Sequence, residues 1–83
     1  MRVRYFAWMK RTVGITDEEI TPPPDVRTVG DLVVWLRNRS AGHAEALAEG
    51  AAFGAAVDQR TATFDVPIAG AREVAFFPPF TGG

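Results

Sequence analysis

Apolar and polar residues alternate at the start of the chain, a period of two that predicts a β-strand over residues 2–8. One face of this strand would carry Val3, Tyr5 and Ala7, and the other face Arg2, Arg4, Phe6 and Trp8. With the first set toward the core, two aromatic side chains would lie on the outer face beside two arginines. Exposed aromatic residues are informative because large apolar groups on a surface often mark a contact with a partner.

An amphipathic helix is predicted near the middle of the chain. Thr28 can cap its first turn, and Asp31 stands three residues later, where a capping box usually has Glu. Apolar residues then recur at the spacing of one helix face, at Val29, Leu32, Val33 and Leu36. We expect this helix to end near Arg39, and a second short helix over 43–48 to place His43 on the surface.

The other segments predict short strands joined by turns and loops. They are a turn or short helix over 9–14, a strand over 17–21, a strand over 53–57, a turn over 58–60, an edge strand over 61–64, a loop over 65–71 and a last strand over 73–77. In the last strand, Val74 and Phe76 would face inward and Phe77 outward. One main amphipathic helix on one face of a mixed four- to five-stranded sheet is an α+β fold.

Composition favours one small folded domain and excludes several classes of function. The 83 residues are 47% hydrophobic with a formal net charge of −1, and the basic residues form no cluster that would indicate nucleic-acid binding. No apolar run approaches the roughly 20 residues of a membrane span. The chain has no cysteine, which excludes disulfides and a sulfur nucleophile and is compatible with the cytoplasm. A single histidine, with no cysteine, argues against a transition-metal site built from protein ligands alone.

The acidic run over residues 17–19 is the one cluster that could suggest acid–base chemistry. We expect a solvated strand edge there rather than a catalytic pair, because nothing nucleophilic accompanies the carboxylates.

The C-terminal segment joins a stiff stretch to a tip without side chains. Pro78 and Pro79 fix φ and favour an extended course. Gly82 and Gly83 are thin enough to enter a narrow channel and are free in φ and ψ. An exposed carboxylate on a stiff arm is what a partner enzyme needs if it is to activate that carboxylate. The predicted organisation is therefore a folded domain over residues 1–77 and an extended tail over 78–83.

Three blocks of sequence carry a resemblance to a known family. They are Ala-Ala-Val-Asp-Gln over 55–59, Phe-Asp-x-Pro over 64–67, and Glu-Val-Ala-Phe-Phe-Pro-Pro-x-Thr-Gly-Gly over 73–83. Together they strongly resemble the MoaD family, the small subunits of molybdopterin synthase, and the match extends over most of 3–38 and 52–83. The resemblance implies a ubiquitin-like β-grasp fold that acts as a sulfur carrier.

The chemistry that the resemblance implies takes place at the C-terminus. An E1-like adenylating enzyme would use ATP and Mg²⁺ to join AMP to the Gly83 carboxylate, next to Gly82. A sulfurtransferase or cysteine desulfurase would then convert the acyl-adenylate to a thiocarboxylate. The large subunit of molybdopterin synthase would receive the tail, and the sulfur would pass to a pterin precursor of the molybdenum cofactor. The chain would bind no cofactor itself and would be a non-catalytic subunit of a cytoplasmic heterotetramer.

The resemblance also indicates which residues contact the large subunit. First and last strands are parallel neighbours in a β-grasp sheet, so Phe6 and Phe77 would lie close together and anchor an apolar docking patch. The complete set of predicted partner-binding residues is Phe6, Thr61, Phe77, Pro78, Pro79, Phe80 and Thr81.

The chain departs from the family pattern at four places. Asp58 stands where the family usually has Asn, and Thr61 where it usually has an apolar residue. Phe80 replaces a typical Val, and Gly-Ala-Arg over 70–72 replaces an Asp-Gly-Asp turn. These changes bear on the docking patch, the channel entrance and the choice of activating enzyme.

Three other functions remain open at the level of sequence. The same sulfur chemistry could serve a thiazole or another cofactor, since the receiving enzyme determines the product. A ubiquitin-like modifier would instead form isopeptide bonds between Gly83 and lysines of other proteins. A β-grasp interaction domain with an inert tail would react with neither ATP nor an activating enzyme.

Overall fold

Five strands form one mixed sheet in the computed structural model, which describes residues 1–79. The strands are β1 (Arg2–Tyr5), β2 (Asp17–Glu19), β3 (Gly54–Val57), β4 (Arg60–Ala62) and β5 (Glu73–Phe77). Their order across the sheet is β2-β1-β5-β3-β4. The central strand β5 runs parallel to β1, and the other neighbouring strands are antiparallel. The predicted mixed sheet with parallel first and last strands is confirmed.

Three helices accompany the sheet, namely α1 (Trp8–Val13), α2 (Val29–Arg37) and α3 (Ala41–Ala46). The predicted capping box starts α2: Thr28 Oγ1 accepts a hydrogen bond from the Asp31 N–H at 3.1 Å, and an Asp31 carboxylate oxygen accepts one from the Thr28 N–H at 3.2 Å. Aspartate therefore serves in place of the usual glutamate. The helix ends at Arg37, two residues before the predicted end.

The core lies between α2 and one face of the sheet. Val3, Val74 and Phe76 point into it from adjacent strands and are fully buried, as predicted. The Phe76 ring stacks on Tyr5 at 6.2 Å between ring centroids. Burying a large apolar side chain contributes about 1.5–3 kcal/mol, so this layer holds β5 firmly in the middle of the sheet. Ala7 was predicted to face the core but is exposed, because β1 ends two residues earlier.

Close backbone contact joins α3 to α1. A Cβ added at Gly42 would lie 2.5 Å from the Thr12 carbonyl oxygen, so only glycine allows this approach. The contact holds α3 against α1, and the His43 ring of α3 lies 5.8 Å from the ring of Tyr5 at the end of β1.

A two-residue turn connects β3 to β4. Asp58 and Gln59 both have positive φ, 47° and 71°, as a type I′ hairpin turn requires. Because this turn uses only two residues, β4 begins at Arg60, one residue before the predicted strand. Asp58 Oδ1 also accepts hydrogen bonds from the backbone N–H groups of Arg72 and Glu73, at 2.9 and 3.0 Å. The turn thereby holds the start of β5.

Candidate functional site

The side chains that alternate with the core residues define the outer face of the sheet. Since Val3, Tyr5, Val74 and Phe76 point toward α2, their neighbours along each strand point the other way. The neighbouring strands β1, β5, β3 and β4 contribute the following residues to the outer face: Arg2 and Arg4 from β1, Glu73, Ala75 and Phe77 from β5, Gly54 and Ala56 from β3, and Thr61 from β4. Phe6 directly follows β1 on the same side.

The structure brings Phe6 and Phe77 to the same end of two adjacent parallel strands. Tyr5 pairs with Phe76, and the Phe6 N–H donates to the Phe76 carbonyl at 3.1 Å. Phe6 and Phe77 are therefore the next pair of neighbouring residues along the two strands. The Phe6 side chain is 39% exposed and Phe77 is half-buried. We call these two residues, together with Pro78, the aromatic patch.

Ion pairs occupy the outer face beside the aromatic patch. The Arg4 guanidinium lies 4.9 Å from the centre of the Phe6 ring and 3.5 Å from a Glu73 carboxylate oxygen. Arg2 lies 3.0 Å from Asp17 on the neighbouring strand. Ion pairs that water can reach contribute only about 0–1 kcal/mol each, so the main effect of the Arg4–Glu73 pair is to place charge next to the Phe6 ring.

The other predicted contact residues, and Pro78 of the patch itself, differ in position and exposure. Thr61 is exposed on the outer face, opposite Ala56 and two strands away from β5. Pro78 is half-buried and Pro79 exposed, directly after the last strand. The remaining predicted site residues, Phe80, Thr81, Gly82 and Gly83, lie outside the described residues.

A second polar site, on the core side of the sheet, was not predicted. His43 was expected on the surface, but its side chain is only 7% exposed. Its Nε2 lies 2.6 Å from a Glu18 carboxylate oxygen, and its Nδ1 lies 2.7 Å from Ser40 Oγ. The Tyr5 hydroxyl donates to the same Glu18 oxygen at 2.7 Å. The expectation of a fully solvated acidic edge is therefore wrong for Glu18.

Burial and side-chain hydrogen bonds distinguish Glu18 from the exposed Glu19 beside it. Burial alone would raise the pKa of Glu18, but hydrogen bonds from His43 and Tyr5 outweigh burial and hold that pKa below its ordinary value. Arg39 acts in the same direction, with its Nε 3.2 Å from the second carboxylate oxygen. Burial, followed by the hydrogen bond to Glu18, raises the pKa of Tyr5. The cluster is satisfied internally and holds β1, β2 and α3 together.

Two findings concern other kinds of site. Within residues 1–79, no group of three or more His, Cys, Asp or Glu side chains could hold a metal ion. In the same part of the chain, no helix is long and apolar enough to cross a membrane.

Comparisons with known proteins agree with this architecture. A family model described as the ThiS family matches residues 3–83. The molybdopterin synthase sulfur carrier subunit of Escherichia coli (strain K12) is 39% identical over 83 residues, which cover 100% of this chain and 99% of that protein.

Two solved structures share the fold. The putative molybdopterin converting factor subunit 1 from Pyrococcus furiosus has a TM-score of 0.73 and 28% identity, with 95% of each chain covered. SAMP1 from Haloferax volcanii has a TM-score of 0.71 and 24% identity, with 100% of this chain and 98% of that chain covered. At that identity, the second likeness supports the fold alone. The predicted ubiquitin-like β-grasp fold is confirmed.

Proposed function

The chain belongs to the ThiS family, and from this premise we propose that it is the sulfur-carrier small subunit of a molybdopterin synthase. The relative that is 39% identical over its full length bears that function in its name. The resemblance to the MoaD family seen in the sequence motifs agrees with it.

One structural observation carries the proposal. The central strand β5 is held on one side by β1 and on the other by β3, and it ends at Phe77 beside Phe6. The tail that leads to Gly83 therefore starts from the central strand of the sheet and directly beside the aromatic patch. A partner that binds the patch receives the tail in a defined direction, as positioning of a reactive terminus requires.

The proposed chemistry uses the carboxylate of Gly83. A carboxylate is a poor acyl donor, so the activating enzyme first joins it to the α-phosphate of ATP and releases pyrophosphate. The terminal sulfur of a persulfide on the sulfur donor then attacks the acyl carbon, and AMP leaves. A thiol of the donor cleaves the resulting acyl disulfide, so the thiocarboxylate is released and the donor is left with a disulfide. The sulfur next passes to the pterin precursor in the large subunit. The chain contributes the terminus and the docking surface, and its partners contribute the catalytic groups and bind ATP and Mg²⁺.

The aromatic patch is the proposed contact with the large subunit. Aromatic side chains carry much of the binding energy in protein interfaces, and Phe6 and Phe77 lie next to the start of the tail. Thr61, farther along the same face, would contribute at the rim. Two such small subunits bound to a dimer of large subunits would give the heterotetramer.

Intact-mass spectrometry tests the proposal. The protein is incubated with ATP, its activating enzyme and a sulfur donor, and peptide mapping locates any change. We expect a mass increase that matches replacement of one oxygen by sulfur at Gly83. No change at Gly83, with the activating enzyme shown to be competent on another carrier, would contradict the proposal.

Identifying the molecule that receives the sulfur distinguishes the proposed function from the same sulfur chemistry in another pathway. The thiocarboxylate form is mixed with the large subunit and the pterin precursor, and dithiolene formation is followed. Return of the terminus to a carboxylate together with dithiolene formation is expected. A stable thiocarboxylate in that mixture would favour a different recipient, and higher-mass conjugates in cell extract would favour a modifier.

A further inference from the structure

We infer that Gly54 is a positioning residue for docking, because its missing side chain leaves the space in which the Phe77 ring lies. The inference rests on the proposed function, since it concerns how the aromatic patch is presented to the large subunit.

The two residues face each other across the sheet. Gly54 in β3 pairs with Phe77 in β5 in antiparallel register, and both positions belong to the outer face. A Cβ added at Gly54 would lie 2.5 Å from Cε1 of the Phe77 ring, and 3.1 and 3.2 Å from Cζ and Cδ1. The ring therefore occupies the volume that any side chain at position 54 would need.

Backbone conformation does not explain the glycine. Gly14, Gly50 and Gly70 have φ between 74° and 99°, a region that disfavours other residues, whereas Gly54 is outside that region. Glycine inside a strand also weakens the strand, since it loses more conformational freedom than other residues and offers no side chain for packing. Space for the ring is the remaining physical reason for glycine at this position.

A ring that covers a cross-strand glycine gains contact with the backbone and loses rotational freedom. Cross-strand neighbours are the closest side-chain partners in a sheet, and aromatic residues are used to cover exposed glycines in strands. Phe77 is half-buried although it lies on the outer face, which agrees with its close contact to Gly54. A docking residue that is already held in its bound orientation loses less entropy when the partner arrives.

The test compares four proteins: wild type, Gly54→Ala, Phe77→Ala and the double variant. In the free proteins, nuclear Overhauser effects between the backbone at position 54 and the Phe77 ring report the position of the ring. The amide chemical shifts of α2 report whether the fold is unchanged. Binding to the cognate large subunit is measured by calorimetry. We expect Gly54→Ala to move the ring and to weaken binding about tenfold, which is less than the loss of a complete hot-spot side chain would cause.

The double variant supplies the matched control. Once Phe77→Ala has removed the ring, the added methyl at position 54 displaces nothing, so the double variant should bind like Phe77→Ala alone. An additional loss in the double variant, or unchanged binding by Gly54→Ala, would overturn the inference. Absence of ring contacts to Gly54 in the free wild-type protein would overturn it without any variant.

The outcomes also separate the two proposals. A wild-type protein that does not bind the large subunit would overturn the proposed function and the docking role of Gly54 with it. A wild-type protein that binds, alongside a Gly54→Ala variant that binds equally well, would overturn the positioning role alone. If Gly54→Ala does not fold, Phe77→Leu tests the same point, because an aliphatic side chain cannot cover the glycine as a ring does. Phe77→Leu binding as tightly as wild type would then overturn the role of the ring.

Discussion

The Glu18 carboxylate joins separate parts of the fold through its two oxygen atoms. One oxygen accepts hydrogen bonds from Tyr5 and His43, and the other lies 3.2 Å from the Arg39 guanidinium. Its side chain is only 12% exposed, so the groups around it have limited access to water. A buried donor that loses its acceptor costs about 1–3 kcal/mol.

Replacing Glu18 with Ala should lower the free energy of unfolding by about 2–3 kcal/mol, because the donors of Tyr5 and His43 lose their acceptor. Urea denaturation measures the change. Glu19→Ala is the matched control, since the Glu19 side chain is 65% exposed and water screens its ion pair with the N-terminus, so its loss should change stability much less. Equal losses in the two variants would contradict the assignment.

The lowered pKa of Glu18 also predicts a dependence of stability on pH. The folded state favours the ionised form, so this contribution is complete above the ordinary pKa of 4.5 and is lost as the pH falls through the lower folded pKa. In urea denaturation below pH 4.5, Glu18→Gln should lose less stability on acidification than wild type does. Parallel curves for the two proteins would show that Glu18 does not contribute.

The sequence could not predict this cluster because its members meet only in the tertiary structure. Glu18 and His43 are 25 positions apart, and neither residue breaks a local pattern of alternation or helix periodicity. The Gly54–Phe77 pair was missed for a related reason, since the register between β3 and β5 depends on the whole sheet. A glycine inside an apolar strand was the available signal.

At the level of elements, the hairpin turn between β3 and β4 supports the strand that carries the tail. Asp58 takes a left-handed conformation and accepts two hydrogen bonds from the beginning of β5. Both tasks suit Asp and Asn, which tolerate positive φ and have a side-chain oxygen. This explains why Asp can replace the Asn that is usual in the family.

Asp58→Ala should lower the free energy of unfolding by about 1–2 kcal/mol, because it removes the acceptor for two backbone N–H groups and places Ala at positive φ. Asp58→Asn is the control and should change stability by less than about 0.5 kcal/mol. Chemical denaturation of the three proteins provides the measurement. An Asn variant as unstable as the Ala variant would rule out the hydrogen bonds as the cause.

Local patterns were sufficient to predict most of the elements. The last strand was predicted with its observed bounds, 73–77, because alternation and the following prolines define it. The start of α2 was predicted from its cap and its apolar stripe. Strand ends near turns were shifted by one to three residues, the largest shift being at the end of β1, since the turn type that fixes them depends on φ values that the sequence does not specify.

On the scale of the whole molecule, the buried core and the proposed reactive group lie in different parts of the chain. The first residue of the buried core along the chain is Val3, and the last is Phe76. The proposed reactive group is at Gly83, beyond the last described residue. A variant that lacks only Gly83 should therefore keep its stability and lose its activity.

Deletion of Gly83 should abolish sulfur incorporation and sulfur transfer while changing the free energy of unfolding by less than about 0.5 kcal/mol. Mass spectrometry and urea denaturation of the same preparation measure both properties. A truncated protein that still supports transfer would exclude the terminal carboxylate as the sulfur carrier.

The parallel pairing of β1 with β5 has a mechanical consequence. A force that pulls the C-terminus along the axis of β5 loads the ladders to β1 and β3 in shear, so many hydrogen bonds share the load at once. A force at the edge strand β4 would peel its bonds one after another. In the proposed function, a partner that pulled on the tail would therefore act on a domain that resists extension.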